Sequence, residues 1–293
     1  MQFLCEFLMR DSYAKKRFGM ETGMYQTKML VLDIDGTLTN SQKEITEETK
    51  KAIQGILERG HKVMLASGRP TAGMRRFEKE LKLSEYGGYL LSFNGGRIID
   101  CRSGEIIYQK TFPAVLVPGL FKFAKEHDCG LITYYGDQII CGTRGDEYID
   151  WESKINGLPV TYVDHFLDYL DFDMNKLLMT APPEQAQQYE KDLQKQFGDR
   201  ISVYRSEPYF IELMPRGIDK AASIDRMLNT IGMKKEDIIC CGDGFNDMTM
   251  IAYAGIGVAM ENAQDAVKEK ADYVTKSNDE DGIVHVIKRF MQD

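Results

Sequence analysis

The sequence predicts a doubly wound, Rossmann-like α/β domain with a parallel sheet, interrupted by an inserted α+β domain. Three observations support this fold class. Short apolar runs recur along the chain and end in polar or small residues, and stretches with helical periodicity lie between them. The middle of the chain instead shows paired strand patterns around glycine turns.

The apolar runs are four or five residues long and lack polar alternation, which is typical of parallel strands buried on both faces. Helices between successive strands would then cover the sheet from both sides. The predicted strands are Met29–Leu32, Val63–Ala66, Tyr89–Phe93, Ile238–Cys241 and Ile256–Ala259.

Two stretches show complete helix signals. In "ITEETKKAIQGILERG", Thr46 can cap the helix, acidic residues fill the first turn, and Gly60 ends it. In "DKAASIDRMLNTIG", Asp219 precedes an apolar stripe and Gly232 follows it. Both patterns predict amphipathic helices that pack on a sheet.

The middle of the chain has a different pattern. "RIIDCRSGEIIYQ" and "GLITYYGDQIICG" predict hairpins, and helical stretches lie near Val115–Glu126 and Glu184–Gln196. "NKLLMTA", "ISVYR" and "YFIELMP" add further strands. This order predicts a separate α+β domain inserted between the two parts of the α/β domain.

Composition excludes several classes of protein. The chain has 293 residues and is 43% hydrophobic, enough for two globular domains. Its formal charge is −8 with acids and bases interspersed, so no basic stripe predicts nucleic-acid binding. No apolar run is long enough to span a bilayer, and the six cysteines lack disulfide or metal spacing. We therefore expect a cytoplasmic protein with free thiols.

The first 27 residues do not fit this pattern. Their apolar stretch comes first and basic residues follow, the reverse of a signal peptide. We expect an N-terminal extension, either disordered with Met24 as the true start or used as a docking segment.

Polar side chains gather where the predicted strands end. Asp33 and Asp35 follow the first strand in "VLDIDGTLT", and Ser67 and Arg69 follow the second in "VMLASGRP". Because ligands of an open parallel sheet bind at the carboxyl ends of its strands, these side chains are expected to share one pocket. "IICCGDGFND" adds Asp243, Asn246 and Asp247, and "GIDK" adds Lys220 at a helix start.

Four carboxylates in one pocket require a cation, since like charges raise one another's pKa. The candidate ligands are all oxygens, so the sequence predicts a hard ion, with Mg²⁺ favoured. Mg²⁺ beside a hydroxyl, a lysine and loop N–H groups suits a phosphoryl group. One aspartate could then attack phosphorus while its neighbour moves a proton.

The stretches "DIDGTL", "ASGRP", "GIDK" and "GDGFND" resemble, in order, the four motifs of the haloacid dehalogenase-like (HAD) phosphatases. Their wide spacing resembles the Cof-type branch, whose large cap lies between the second and third motifs. "SFNGG" resembles that branch's entry into the cap, although Gly96 stands where alanine is more frequent. The resemblance implies a catalytic core formed by residues 28–95 and 206–293, and a C2-type cap formed by residues 96–205.

The resemblance also implies residue roles. Asp33 would be the nucleophile, and Asp35 the general acid and base. Asp33, the backbone carbonyl of Asp35 and Asp243 would bind Mg²⁺, with Asp247 supporting the metal site from nearby. Ser67 and Lys220 would bind phosphoryl oxygens. Asn94 and Asn246 would lie near the phosphate or the cap hinge, and Arg69 would contact the substrate or its phosphate.

Other interpretations remain open at this stage. Asp-Gly is a common turn signal, so Asp33 and Asp35 could be turn residues, and the four histidines are read as structural. The leading function is Mg²⁺-dependent hydrolysis of small phosphomonoesters, with sugar phosphates favoured. A phosphomutase or another phosphotransferase using the same nucleophile, and a non-catalytic sugar-phosphate sensor, are the alternatives.

Overall fold

The computed structural model describes residues 27–291, and the predicted N-terminal extension, apart from Thr27, lies outside them. In this part of the chain, one sheet has eight strands in the order β14-β13-β12-β1-β2-β3-β4-β5. From β14 to β3 neighbouring strands are parallel, whereas β4 and β5 are antiparallel additions at one edge. The strand bounds in chain order are β1 Met29–Leu32, β2 Lys62–Ala66, β3 Tyr89–Ser92, β4 Arg97–Asp100, β5 Ile106–Gln109, β12 Ile238–Gly242, β13 Ile256–Ala259 and β14 Tyr273–Val274.

Helices cover both faces of this sheet, as predicted for a doubly wound domain. Ile53, Phe77 and Val286 belong to the apolar cluster on one face, and Ile224 and Met250 belong to the cluster on the other. The helices of this domain are α1 Glu47–Glu58, α2 Thr71–Glu80, α3 Leu83–Tyr86, α8 Lys220–Ile231, α9 Met248–Tyr253, α10 Asp265–Lys268 and α11 Gly282–Phe290.

The two helices with complete sequence signals form as predicted. Thr46 caps α1 by accepting a hydrogen bond from the backbone N–H of Thr49 at 3.1 Å. Asp219 caps α8 through the N–H of Ala222 at 3.0 Å, and Gly232 ends that helix at φ +72°. These local signals position Lys220 at the first turn of α8.

The inserted domain is built on a second sheet, described within residues 27–291 as six strands in the order β10-β11-β9-β6-β7-β8. Its strands are antiparallel except for the parallel pair β7–β8. The strand bounds are β6 Gly130–Tyr135, β7 Gln138–Cys141, β8 Val160–Tyr162, β9 Leu177–Thr180, β10 Ile201–Glu207 and β11 Phe210–Pro215. The helices are α4 Val117–Glu126, α5 Glu147–Asn156, α6 Phe166–Tyr169 and α7 Pro183–Phe197.

One face of the second sheet packs on α4 and α7, through a cluster that includes Leu120, Leu177 and Leu193. The opposite face belongs to a cluster that joins Ile132 and Leu178 to Phe93 of the first domain. The second domain therefore lies over the edge of the first sheet as a cap. Short 3₁₀ turns complete the fold at Phe93–Gly95, Ala114–Leu116, Lys235–Asp237, Phe245–Asp247 and Asn278–Glu280.

The domain boundaries predicted at residues 96 and 205 need correction. The hairpin of β4 and β5 joins the core sheet through β3, while the hairpin of β10 and β11 joins the cap sheet through the pairing of β11 with β9. The chain passes from the core to the cap after β5 and returns to the core after β11. These two connecting segments lie side by side, and Lys110 Nζ of the first donates to the backbone oxygen of Arg216 of the second at 2.6 Å. A hairpin pattern does not reveal which sheet the hairpin will join, which is why the boundaries were misplaced.

Candidate active site

The site is built at the carboxyl ends of three adjacent strands. β1 lies between β12 and β2, so Asp33 after β1 stands between Asp243 after β12 and Ser67 after β2. The backbone hydrogen bonds of the sheet continue past the strand ends to these residues. The N–H of Asp33 donates to Cys241 O at 3.0 Å, and the N–H of Ser67 donates to Leu91 O at 2.9 Å. The side chains therefore start from backbone that the sheet holds in place.

Lys220 is fully buried and connects these strand ends. Its Nζ donates to Asp33 Oδ1 and to Asp247 Oδ1, both at 2.6 Å, and to Ala66 O at 2.8 Å. Burial alone would lower the pKa of Lys220, but the carboxylates of Asp247 and Asp33 raise it above its ordinary value. The lysine is therefore a fixed positive charge beneath the site.

The start of α8 is held against the turn that follows β3. Ser223 Oγ donates to Gly95 O at 2.8 Å. A Cβ at Gly95 would lie 2.7 Å from both Asp219 O and Ser223 Oγ, so only glycine permits this contact. The first turn of α8, which carries Lys220, is therefore packed directly on this turn.

Three carboxylates form an acidic cluster. Among the described residues, Asp33, Asp243 and Asp247 offer oxygens that all lie within 4.8 Å of one another. Burial, followed by the charge of Asp247, raises the pKa of Asp33 well above its usual value. Burial raises the pKa of Asp243 to about 6, despite the hydrogen bond that Thr37 Oγ1 donates to it at 2.7 Å. With one ammonium facing three carboxylates, a divalent cation with oxygen ligands fits the cluster.

Backbone groups shape this acidic cluster. Asp247 Oδ2 accepts from the N–H groups of Asp243 at 3.0 Å and Gly244 at 2.9 Å, which orients the carboxylate. Gly36 has φ +85°, and a Cβ there would lie 2.4 Å from Asp243 Oδ2. The loop after β1 can therefore approach Asp243 only with glycine at this position.

Asp35 lies outside the acidic cluster. Its carboxylate accepts from Arg69 Nε at 2.7 Å, Arg69 Nη2 at 2.8 Å and Lys43 Nζ at 3.0 Å. Burial alone would raise the pKa of Asp35, but these partners outweigh it and lower the pKa to about 2. The side chain is therefore an ionised carboxylate in this arrangement.

Arg69 also reaches the cap. Its Nη1 donates to Ile155 O at 2.6 Å and to Asn156 Oδ1 at 3.5 Å, at the end of α5. The same guanidinium thus contacts Asp35 of the core and the cap that covers it.

Asn94 forms a second connection between core and cap. Asn94 Nδ2 donates to Tyr204 OH on β10 at 3.1 Å, and Asn246 Nδ2 donates to Asn94 Oδ1 at 3.0 Å. Phe93 and Asn94 both have φ +53°, a left-handed backbone conformation that residues other than glycine rarely adopt. Such residues are concentrated at functional sites. Ser67, buried below this turn, accepts from the N–H of Arg69 at 3.2 Å.

The predicted residues therefore divide into two groups. Asp33, Asp243, Asp247 and Lys220 share direct or near contacts, while Asp35 and Arg69 form a separate ion pair. Outside these two groups, Asn94 and Asn246 are hydrogen-bonded to each other, and the Ser67 hydroxyl accepts from the Arg69 backbone. Four further residues contact this site and were not predicted from the sequence: Thr37, Lys43, Asn156 and Tyr204. Thr37 could have been found because it lies inside "DIDGTL", whereas nothing in the local sequence marks the others.

Within residues 27–291, no helix combines the length and the apolar character that crossing a membrane requires.

Comparison with known proteins identifies the family of the chain. A sequence profile of the haloacid dehalogenase-like hydrolases matches residues 30–287. A solved haloacid dehalogenase-like hydrolase from Bacteroides thetaiotaomicron is 42% identical, with a TM-score of 0.87 over 90% of this chain and 99% of its own. The HAD subclass IIB sugar phosphatase BT4131 is 27% identical, with a TM-score of 0.76 over 90% of this chain and 99% of its own.

A named enzyme is also similar over its whole length. The 5-amino-6-(5-phospho-D-ribitylamino)uracil phosphatase YcsE of Bacillus subtilis is 29% identical over 269 residues, covering 90% of this chain and 96% of its own. The predicted family, fold class and enzyme class are thereby confirmed. The chain belongs to the haloacid dehalogenase-like hydrolases, as a phosphatase of their Cof-type branch.

Proposed function

We propose that this phosphatase hydrolyses small phosphomonoesters, with sugar phosphates as the preferred class, through an aspartyl phosphate on Asp33 and with Mg²⁺ as cofactor. The observation that carries the proposal is the contact of Lys220 with both Asp33 and Asp247. This contact lies at the edge of the sheet where Ser67 and Asp243 follow the neighbouring strands. This arrangement offers a nucleophile, a fixed cation and a group of metal-binding oxygens in one place.

The acidic cluster supports the choice of metal. Asp33 and Asp243, with the backbone carbonyl of Asp35, would hold Mg²⁺, and Asp247 would orient the loop that carries Asp243. Bound Mg²⁺ would neutralise charge on the phosphoryl group. Lys220 and the Ser67 hydroxyl would bind phosphoryl oxygens on the other side.

Asp33 would attack phosphorus through a carboxylate oxygen, and the ester oxygen would leave with a proton from Asp35. Asp35 would then remove a proton from the water that hydrolyses the aspartyl phosphate. In the present arrangement, the carboxylate of Asp35 is occupied by Arg69 and Lys43. Phosphoryl oxygens of a substrate would compete for Arg69, and loss of that partner would raise the pKa of Asp35. The carboxylate would then take up a proton from solvent, and this is the proton that it would deliver to the leaving ester oxygen.

The cap supports a polyhydroxylated leaving group. Tyr204 and Glu212 are paired across β10 and β11, so their side chains lie on the same face of the cap sheet. Tyr204 contacts Asn94 of the core, which shows that this face is directed toward the core. Glu212 is buried there with Lys176, whose Nζ lies 3.0 Å from Glu212 Oε2. Polar groups of both signs suit the hydroxyl groups of a sugar.

The cytoplasm is the proposed location. Cys101, Cys129, Cys141, Cys240 and Cys241 are all free and buried in the described part of the chain, which agrees with a reducing compartment.

The test compares Asp33→Asn with Asp35→Asn, using p-nitrophenyl phosphate and intact-protein mass spectrometry after an acid quench. Asp33→Asn should lose turnover and form no adduct. Asp35→Asn should retain attack on this good leaving group but lose the base, which slows hydrolysis by about 10²–10⁴-fold. A phosphoryl adduct should therefore accumulate on Asp35→Asn alone. Wild-type turnover in both variants would refute the proposal.

The substrate class is tested separately, by measuring kcat/KM for a panel of sugar phosphates against phosphorylated amino acids and nucleotides. Sugar phosphates should be preferred in the wild-type protein. In Glu212→Gln, the ratio of kcat/KM for sugar phosphates to kcat/KM for the other compounds should fall. The kcat of this variant for p-nitrophenyl phosphate should stay close to that of the wild type. An unchanged ranking in a folded Glu212→Gln variant would contradict the role assigned to the cap.

A further inference from the structure

A cavity lies between the core and the cap, apart from the acidic cluster. Its volume is about 420 Å³, within the range of small-molecule sites. The core contributes α2 and β4 to its walls, and the cap contributes the turn between β6 and β7. The described residues that line it include none of the catalytic or metal-binding residues proposed above.

Two arginines form the core wall of this cavity. Arg75 projects from α2 and Arg97 begins β4, and both line the cavity. Arg75 pairs with Glu78 at 2.6 Å, whereas Arg97 makes no ion pair among residues 27–291. Burial, and then the nearby charge of Arg75, lowers the pKa of Arg97. Asp137 and Asp173 also line the cavity, on the cap side, but neither forms an ion pair with Arg75 or Arg97 among the described residues. The two neighbouring cations are therefore both on the core wall, and the one carboxylate paired with them there is Glu78.

Arg97, which lines the cavity, also carries an unpaired buried donor, its Nε. Within the part of the chain that the structure describes, it is the one buried side-chain nitrogen or oxygen atom without a hydrogen-bond partner. Buried N–H groups are normally paired, because an unpaired donor keeps the full cost of losing water. A small movement of the Arg97 side chain toward the cavity would let a ligand acceptor pair with this donor, and the planar guanidinium favours an oxyanion.

The other walls suit the body of an organic molecule. Phe93 and Tyr134 are adjacent aromatic rings, with centroids 5.9 Å apart. Tyr135 and Phe172 stack at 4.1 Å on the cap side. Aromatic faces of this kind would bind a ring or a short apolar group next to the oxyanion.

We propose that this cavity is a binding site for a small metabolite that carries an oxyanion, a phosphate or a carboxylate, on a ring or short apolar body. Arg97 and Arg75 bind the oxyanion, and the aromatic walls hold the body. Because the core and the cap both line the cavity, the bound molecule contacts both domains. The proposal does not depend on the phosphatase reaction.

The test uses isothermal titration calorimetry on the full chain, with phenylphosphonate and benzoate as probes. Mg²⁺ and excess orthovanadate are present throughout, to occupy the phosphoryl site of the acidic cluster. At least one probe should bind the wild-type protein, and Arg97→Met should weaken that binding by about tenfold or more. Arg102→Met is the matched control, since Arg102 is an exposed arginine of the β4–β5 turn outside the cavity, and it should leave binding unchanged.

Folding and catalysis are checked in the same variants. Without probe, Arg97→Met should melt no lower than wild type, because it removes an unpaired buried donor, and its kcat/KM for p-nitrophenyl phosphate should stay within about twofold. If Arg97→Met does not fold, Arg97→Lys is used in its place. Lysine keeps the charge but cannot make the two parallel hydrogen bonds of a guanidinium, so probe binding should still weaken.

Binding of phenylphosphonate alone identifies a phosphate ligand, and binding of benzoate alone identifies a carboxylate ligand. Equal binding to wild type and the Arg97 variant would overturn the proposal, as would binding of neither probe at millimolar concentration. Loss of wild-type p-nitrophenyl phosphate turnover would instead count against the proposed function, so the two failures are distinguishable.

Discussion

Replacing Lys220 with methionine tests how far the acidic cluster depends on one buried cation. Lys220 Nζ lies 2.6 Å from both Asp33 and Asp247, and the exposed fractions of the three side chains are 0%, 8% and 1%. Methionine preserves most of the volume but leaves two buried carboxylates without their partner. Removing one member of a buried ion pair costs about 3–5 kcal/mol, so Lys220→Met should lower the free energy of unfolding by that amount.

Lys50 offers a matched control with the same chemistry at the surface. Its Nζ also contacts two carboxylates, Glu47 at 2.8 Å and Glu80 at 2.6 Å, but solvent reaches all three side chains. Surface ion pairs contribute little, so Lys50→Met should cost a small fraction of the loss seen for Lys220→Met.

The measurement is urea denaturation of the full chain followed by circular dichroism, with EDTA present so that no divalent ion compensates for the lost charge. The slope of the transition should stay constant while its midpoint falls. Adding Asp247→Asn to Lys220→Met should restore part of the stability, because it removes one unpaired carboxylate. Equal losses for Lys220→Met and Lys50→Met would refute the argument that burial sets the cost.

Three further predictions concern the metal, the loop after β1 and the connection to the cap. EDTA should abolish hydrolysis of p-nitrophenyl phosphate and Mg²⁺ should restore it, whereas Ca²⁺, with its larger and looser coordination, should restore little; full activity in excess EDTA would contradict the Mg²⁺ assignment. Gly36→Ala should reduce steady-state turnover by more than about tenfold, since its Cβ would lie 2.4 Å from Asp243 Oδ2. Gly104→Ala is the control and should leave turnover unchanged, because Gly104 also has a positive φ, +75°, but a Cβ there would have no described atom within 4 Å. Tyr204→Phe removes the acceptor of Asn94 Nδ2 and should raise KM for a sugar phosphate by about two- to tenfold with smaller change in kcat; equal KM values in the two proteins would show that this contact does not support closure.

Local chemistry allowed much of this fold to be predicted. The apolar runs became β1, β2, β3, β12 and β13 with shifts of one residue at most at either end, because a strand buried on both faces leaves an uninterrupted apolar signal. Thr46 and Gly232 marked helix ends because capping is decided within a few residues. The four motifs also indicated which side chains stand at the strand ends, since the carboxyl ends of parallel strands share one edge.

The assignment of hairpins to sheets could not be predicted in this way. The β4–β5 hairpin and the β6–β7 hairpin have similar sequence patterns, yet one extends the core sheet and the other lies in the cap. Which sheet a hairpin joins depends on which strand edge lies beside it in the folded chain. The predicted boundaries were therefore displaced at both ends of the cap.

The sequence by itself determined the fold class, the phosphatase motifs and the type of side chain at each strand end, because those depend on periodicity and residue chemistry. Only the tertiary structure decided the partners of those side chains. Lys220 and Asp33 are 187 positions apart, and Arg69 and Ile155 are 86 apart, so no local pattern links them. The unpaired Nε of Arg97 was equally invisible, since burial without an acceptor depends on every element that packs around it. Distances between remote side chains arise from packing, and packing is a property of the whole folded chain.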